Sequence, residues 1–78
     1  MKKTIRILAN NQPNILLHVT NLLLKYRVKI NDFISSTNEE SGKILITVTM
    51  HSDYITFKQL LNQILKIHEV VDVQEIIE

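Results

Sequence analysis

Between Thr4 and Asn10 the apolar positions Ile5, Ile7 and Ala9 alternate with Thr4, Arg6 and Leu8, and further on Ile44, Ile46, Val48 and Met50 alternate with Leu45, Thr47 and Thr49. A period of two over such a length belongs to a strand with one face against a core. The second run is also rich in β-branched residues, which suit a pleated surface. Two other stretches keep a different period: Ile15, Val19, Leu22, Leu23 and Tyr26 fall on one helical stripe, and so do Phe57, Leu60, Leu61, Ile64 and Leu65. Pro13 suits the first turn of the first helix, where its missing N–H is not needed. Lys25 and Arg27 stand near that helix's negative end, and Ser52 or Asp53 offers a capping oxygen to the second helix. What remains reads as two more strands, one near Val28 to Thr37 with Ile30 and Ile34 evenly spaced, the other from Val70 to Ile77. "NEESGK" carries the one glycine of the chain and reads as a hairpin with Gly42 at positive φ.

The order β-α-β-β-α-β defines an α+β, ferredoxin-like sandwich. Right-handed crossovers and a central hairpin favour an antiparallel sheet in spatial order 4-1-3-2 with both helices on one face. Residues 1–78 leave room for a single domain. A domain this small buries only about 60% of the surface its unfolded chain exposes. Hydrophobic residues make up 45% of this one, so some of them are expected to meet a partner. The second and fourth strands are edges, and an edge invites pairing with a copy of itself. A homodimer through the second strand would form an eight-stranded sheet and bring each first helix start close to the partner's second strand. Leu17 and Leu24, seven residues apart and off the core stripe, are candidates for that interface or for a larger partner. Scattered surface leucines are the other reading.

Charge and chemistry narrow the function. With a net charge of +1 and no basic run beyond Lys2-Lys3, nucleic acid is not the expected partner. An RNA-binding domain on this frame would also need aromatics exposed on the sheet, and of the four present Tyr26 and Phe57 face the helices' core. The amino-terminal "MKKTIRILAN" reaches a polar amide too soon for a signal peptide, and no stretch spans a bilayer, so no membrane is involved and a cytoplasmic protein is expected. The chain has no cysteine, which removes disulfides, thiolate metal sites and the Cys pair of a metal carrier. His18, His51 and His68 are too dispersed for a metal or base, Glu39 and Glu40 read as solvated hairpin carboxylates, and one glycine cannot make a glycine-rich phosphate loop. The chemistry left is at "NNQPN". Free N–H groups at a helix start hold a carboxylate well, and the amides of Asn10, Asn11 and Gln12 can hydrogen-bond both charged ends of an amino acid. Capping of the helix by Asn11 and Gln12 is the competing role.

The first strand leading into "NNQPNILLHVTNLLLKYRVKINDF" and the closing "LLNQILKIHEVVDVQEI" resemble an ACT domain, and within that superfamily the small regulatory subunit of acetolactate synthase (acetohydroxyacid synthase), of the short single-ACT type. The similarity runs from about Lys3 to Ile77. It implies a dimer that binds an amino-acid effector, usually valine, between protomers and docks on a large catalytic subunit. That partner carries thiamine diphosphate, magnesium and usually FAD, while the small subunit has no cofactor and no active site. The resemblance gives Asn11 the effector-binding role, within a site formed by Asn10, Asn11, Gln12, Pro13, Asn14 and Ile15 with Lys29 and Ile30 contributed by the partner protomer. Two positions depart from the family pattern. Asn14 stands where glycine is favoured and is expected to accept a left-handed backbone, and Lys29 stands where an asparagine commonly faces the effector. The expected function is therefore a non-catalytic subunit that binds and activates acetolactate synthase in branched-chain amino-acid biosynthesis, with valine, leucine or isoleucine as possible feedback effector. The alternative is a stand-alone ACT amino-acid-sensing module acting on another enzyme or regulator.

Overall fold

The computed structural model describes residues 1–77. Its elements are β1 (Lys2–Asn10), α1 (Ile15–Lys25), β2 (Lys29–Asn38), β3 (Lys43–His51), α2 (Tyr54–Leu65) and β4 (Val70–Ile76). The strands form one antiparallel sheet in the order β2-β3-β1-β4, the expected 4-1-3-2 read from the other edge. In the central pair Ile5 lies opposite Val48, Ile7 opposite Ile46 and Ala9 opposite Ile44. These residues and Met50 are buried with Ile15, Val19 and Leu23 of α1 and Phe57, Leu60 and Ile64 of α2. Both helices thus cover one face of the sheet, and the face carrying Thr4, Arg6, Thr47 and Thr49 is left open.

Two apolar residues, Ile34 and Leu65, lie where their spacing did not place them. The even step from Ile30 to Ile34 is broken by a bulge at Asn31, where pairing passes from Ile30 with Met50 to Asp32 with Thr49. One extra residue reverses the alternation. Phe33 therefore turns toward the core opposite Val48, and Ile34 turns to the open face, 62% exposed. A second bulge, between Leu8 and Ala9 on β1, leaves Val71 out of the pairing and exposed. Leu65 is also exposed, because it is one residue beyond Ile64 and so about 100° round the helix from the buried stripe.

The helix ends differ from each other. α1 starts after Pro13, not at it: the Ile15 N–H donates to the Gln12 carbonyl at 3.2 Å, closing a turn in which Pro13 takes the second position that its fixed φ suits. Asn14 is the N-cap with φ −104° and makes no side-chain cap, so it needs no left-handed backbone. The capping role considered for Asn11 and Gln12 is likewise not taken up. The left-handed residue is at the other end, at Arg27 with φ 55°. There the Arg27 N–H donates to Leu24 at 3.1 Å and the Val28 N–H to Leu23 at 3.4 Å, a Schellman closure whose left-handed position usually holds glycine. At α2 the cap is Asp53, whose carboxylate accepts from the Thr56 N–H at 2.7 Å and from the Thr56 hydroxyl at 3.0 Å. Those bonds, the backbone one first, hold the Asp53 carboxyl below its ordinary value of 3.8. Gly42 has φ 67°, as the hairpin requires.

Replacing Arg27 with glycine removes the steric conflict of a β-carbon at positive φ and should stabilise the domain by roughly 0.5–1 kcal/mol, a rise of a few degrees in thermal melting. Asp53→Ala should lower the melting temperature at neutral pH. Because the folded-state pKa of Asp53 lies below its unfolded value, its contribution is present above pH 3.8 and is lost as the pH falls through the lowered value, so the gap between wild type and variant should narrow in acid melts.

Candidate functional site

The loop from Asn11 to Asn14 leaves the end of β1, a central strand, and so lies between the β2–β3 hairpin on one side and the α2–β4 corner on the other. Backbone hydrogen bonds hold it to both: Asn10 N–H donates to the Glu69 carbonyl at 2.8 Å, and Asn11 N–H donates to the Gly42 carbonyl at 2.9 Å. Gln12 N–H turns back to the Asn10 carbonyl at 2.9 Å. With no side-chain cap on α1, the N–H groups of Leu16 and Leu17 have no acceptor among the described residues. Donors in this state, reinforced by the helix dipole, attract a carboxylate.

Beside the loop is a cleft of ≈390 Å³ lined by Asn10, Gln12, Pro13, Asn14, His18, His68 and Glu69. His18 Nδ1 stands 3.7 Å from Glu69 Oε2, a charge pair when the ring is protonated but too long for a hydrogen bond. That carboxylate oxygen is buried and has no hydrogen-bond partner among the described residues. The cleft therefore offers amide donors and acceptors at one wall and an unsatisfied acceptor at the other. A roomier concavity of ≈770 Å³ lies on the open face under the hairpin, between Leu8, Leu45, Glu39 and Lys43, and has neither a helix start nor a covered charge.

Four of the residues expected at an effector site, Asn10, Gln12, Pro13 and Asn14, share this cleft. Asn11 is exposed on the hairpin side of the loop. Ile15 is 1% exposed and anchors α1 in the core, so it can position the loop but cannot line a pocket. Lys29 and Ile30 are not near the loop in the same protomer: they pair with His51 and Met50 at the opposite end of β2 from Asn38, which pairs with Lys43 beside the loop. Ten residues of strand separate the two ends by about 30 Å. Sequence reasoning missed Glu69, and it kept His18 and His68 apart as dispersed residues. His51 is indeed remote, its Nδ1 2.8 Å from the Asn31 Oδ1. His18 and His68, fifty residues apart in the chain, meet only because the start of α1 lies beside the end of α2, and no local motif records that. Among the described residues no three His, Cys, Asp or Glu side chains gather as a metal site. No helix among them is long and apolar enough to cross a membrane.

No protein-family model matches the sequence. The fold is that of an ACT domain: the ACT domain from the GTP pyrophosphokinase of Chlorobium tepidum matches with a TM-score of 0.85 at 14% identity, over 97% of each chain. The more particular likeness is to acetolactate synthase small subunits. A probable acetolactate synthase small subunit from Archaeoglobus fulgidus is 30% identical over all 78 residues, and the crystal structure of the small subunit from Thermotoga maritima matches with a TM-score of 0.83 at 24% identity over 96% of this chain. The chain spans about half the length of each, 49% and 47% respectively. The resemblance read from the sequence thus recurs in a curated relative along the whole chain, and the structural comparison agrees in fold.

Proposed function

We propose that this chain is a non-catalytic regulatory module of acetolactate synthase, which dimerises along β2 and docks on the large catalytic subunit to raise its turnover in branched-chain amino-acid biosynthesis. The observation that carries this reading is the 30% identity to a probable small subunit along the whole 78 residues. In this reading thiamine diphosphate, magnesium and FAD belong to the catalytic partner, and both proteins work in the cytoplasm. The one glycine of this chain is spent in the hairpin and builds no phosphate cradle.

The geometry supports a site shared between two copies. Among the described residues β2 has a neighbour only in β3, so its other ladder edge is open. Two β2 strands paired about a two-fold axis run antiparallel, which sets the Lys29 end of one beside the Asn38 end of the other. The loop is tied to that end through Asn11 and Gly42. Residues about 30 Å apart within a protomer would then face each other across the interface. An amino-acid effector, of the valine, leucine or isoleucine kind, would place its carboxylate on the free N–H groups of Leu16 and Leu17 and its polar ends among Asn10, Asn11, Gln12 and Asn14, with Lys29 and Ile30 of the second protomer closing the pocket. The Lys29 ammonium favours the carboxylate and opposes the effector's own ammonium, which weakens feedback relative to a neutral amide at that position.

Docking changes turnover only to the extent that the module binds the active state of the large subunit better than the inactive one. Added to its cognate large subunit, the chain should raise kcat and co-elute with it; unchanged kinetics with no complex would overturn the assignment. Calorimetry of the isolated chain with valine, leucine and isoleucine should give weak binding that strengthens when Lys29 is replaced by asparagine and disappears with Asn11→Ala. Tight binding by the isolated chain without any effect on the synthase would instead favour the stand-alone sensor.

A further inference from the structure

We propose that the groove between α1 and α2 is the docking site for an acidic amphipathic segment of the partner protein. The inference deepens the regulatory reading by naming the chemistry of the docking segment, and it rests on that reading only for the identity of the partner. α1 and α2 each return along a strand, and since β1 and β3 are antiparallel the helices are antiparallel too. Between them runs a groove of ≈360 Å³ with Leu22 and Ile67 at its apolar centre, Lys25 and Lys66 exposed along it, and the amides of Asn21 and Gln63 on either side.

The charge of this layer is one-sided. Neither helix contains an aspartate or a glutamate. The carboxylates of the described residues lie instead on β2, the hairpin, β4 and the chain corners at Asp53 and Glu69. Lys25 and Lys66 accordingly have no carboxylate partner among the described residues; the Lys25 ammonium has only the Tyr26 ring, 5.8 Å away. Two uncompensated cations flanking an apolar trough fit a segment that presents carboxylates on both sides of an aliphatic ridge. A bilayer fits less well, because it is flat and would bury Asn21 and Gln63 against hydrocarbon without partners. Nucleic acid fits less well, because the groove has no aromatic platform for bases.

The test uses the whole chain with two probes. One is the purified large subunit of acetolactate synthase; the other is a synthetic amphipathic helix of leucine and glutamate, with its leucine–glutamine counterpart as control. The wild type should bind both the large subunit and the glutamate peptide, with amide shifts centred on Leu22, Lys25, Gln63 and Ile67, and should ignore the glutamine peptide. K25E/K66E, and K25Q/K66Q as the variant that spares the end of α1 an added negative charge, should each lose on the order of tenfold in affinity, with unchanged circular dichroism and a shallower salt dependence. Lys43→Gln, on the hairpin, should lose nothing. If the large subunit binds wild type and both double variants equally, the docking inference falls and the regulatory reading stands. If the glutamate peptide binds the groove while the large subunit does not bind, the regulatory reading falls and the docking chemistry stands. Preference for anionic phospholipid vesicles or for an RNA oligonucleotide over the glutamate peptide overturns the inference.

Discussion

A sheet covered on one face only has a single core, and in this domain that core lies where β1 and β3 meet the two helices. No polar or charged residue is buried among the described ones, so the core is held by apolar contact alone and its register is set by which residues face inward. The pairing of Ile5 with Val48 and of Ile7 with Ile46 fixes the two central strands; the outer strands have to adapt to it. They do so by bulging. At Asn31 an extra residue lets β2 offer first Ile30 and then Phe33 to the helix side, and at Val71 an unpaired residue lets β4 follow β1 while still placing Val70 and Val73 against the core. Both irregularities are on edges, where a kink disrupts the fewest ladder hydrogen bonds.

The same one-sidedness decides what the surface can do. Apolar residues that no second layer covers remain at the β2 edge, on the outer flank of α1 and on the open face, represented by Ile30, Leu17, Leu24 and Ile34. Surface ion pairs such as Lys3 with Glu75, 3.0 Å apart, add little to stability. The polar interest concentrates where chain ends converge. β1 is central, so the loop that leaves it touches the hairpin and the α2–β4 corner at once, and two backbone hydrogen bonds give it a fixed shape without a glycine or a side-chain cap. A site on such a loop is preorganised by its neighbours and owes little to its own residues, which is why Asn14 is accommodated with an ordinary negative φ.

This explains how much could be read from the chain. Period-two and helical patterns identified the strands, both helices and the hairpin at Gly42, because each depends on residues close in sequence, and the rules of crossover handedness then supplied the sheet order. Asp53 was one of the two caps considered, for the same reason. The failures have longer range. Ile34 and Leu65 were assigned by spacing alone, and spacing does not register a bulge or the point at which a stripe leaves the core. Nothing local announces Arg27 as left-handed, since the Schellman closure chooses it by position and not by type. At the site, the loop amides were legible as a motif before a helix, whereas Glu69 was not, because its part in the cleft arises from the α2–β4 corner lying beside the start of α1.

α1 borders both the cleft at the loop and the groove between the helices. Its first turn supplies the free N–H groups beside the loop, His18 faces Glu69 across the cleft, and one turn further Asn21, Leu22 and Lys25 line the groove toward α2. The helix is pinned between by Val19 and Leu23, both fully buried, so it cannot bend freely and must move as a body if it moves at all. A ligand at the loop and a partner in the groove, were both to bind as proposed, would act on one rigid element from different sides. If each prefers the same placement of α1, binding of one strengthens the other by the same factor in both directions; if they prefer different placements, the effector releases the partner. In the proposed regulatory reading, feedback requires only that difference. The size of the coupling is limited by the free energy of moving α1 over a close-packed core, which favours a small number of discrete positions over a graded response.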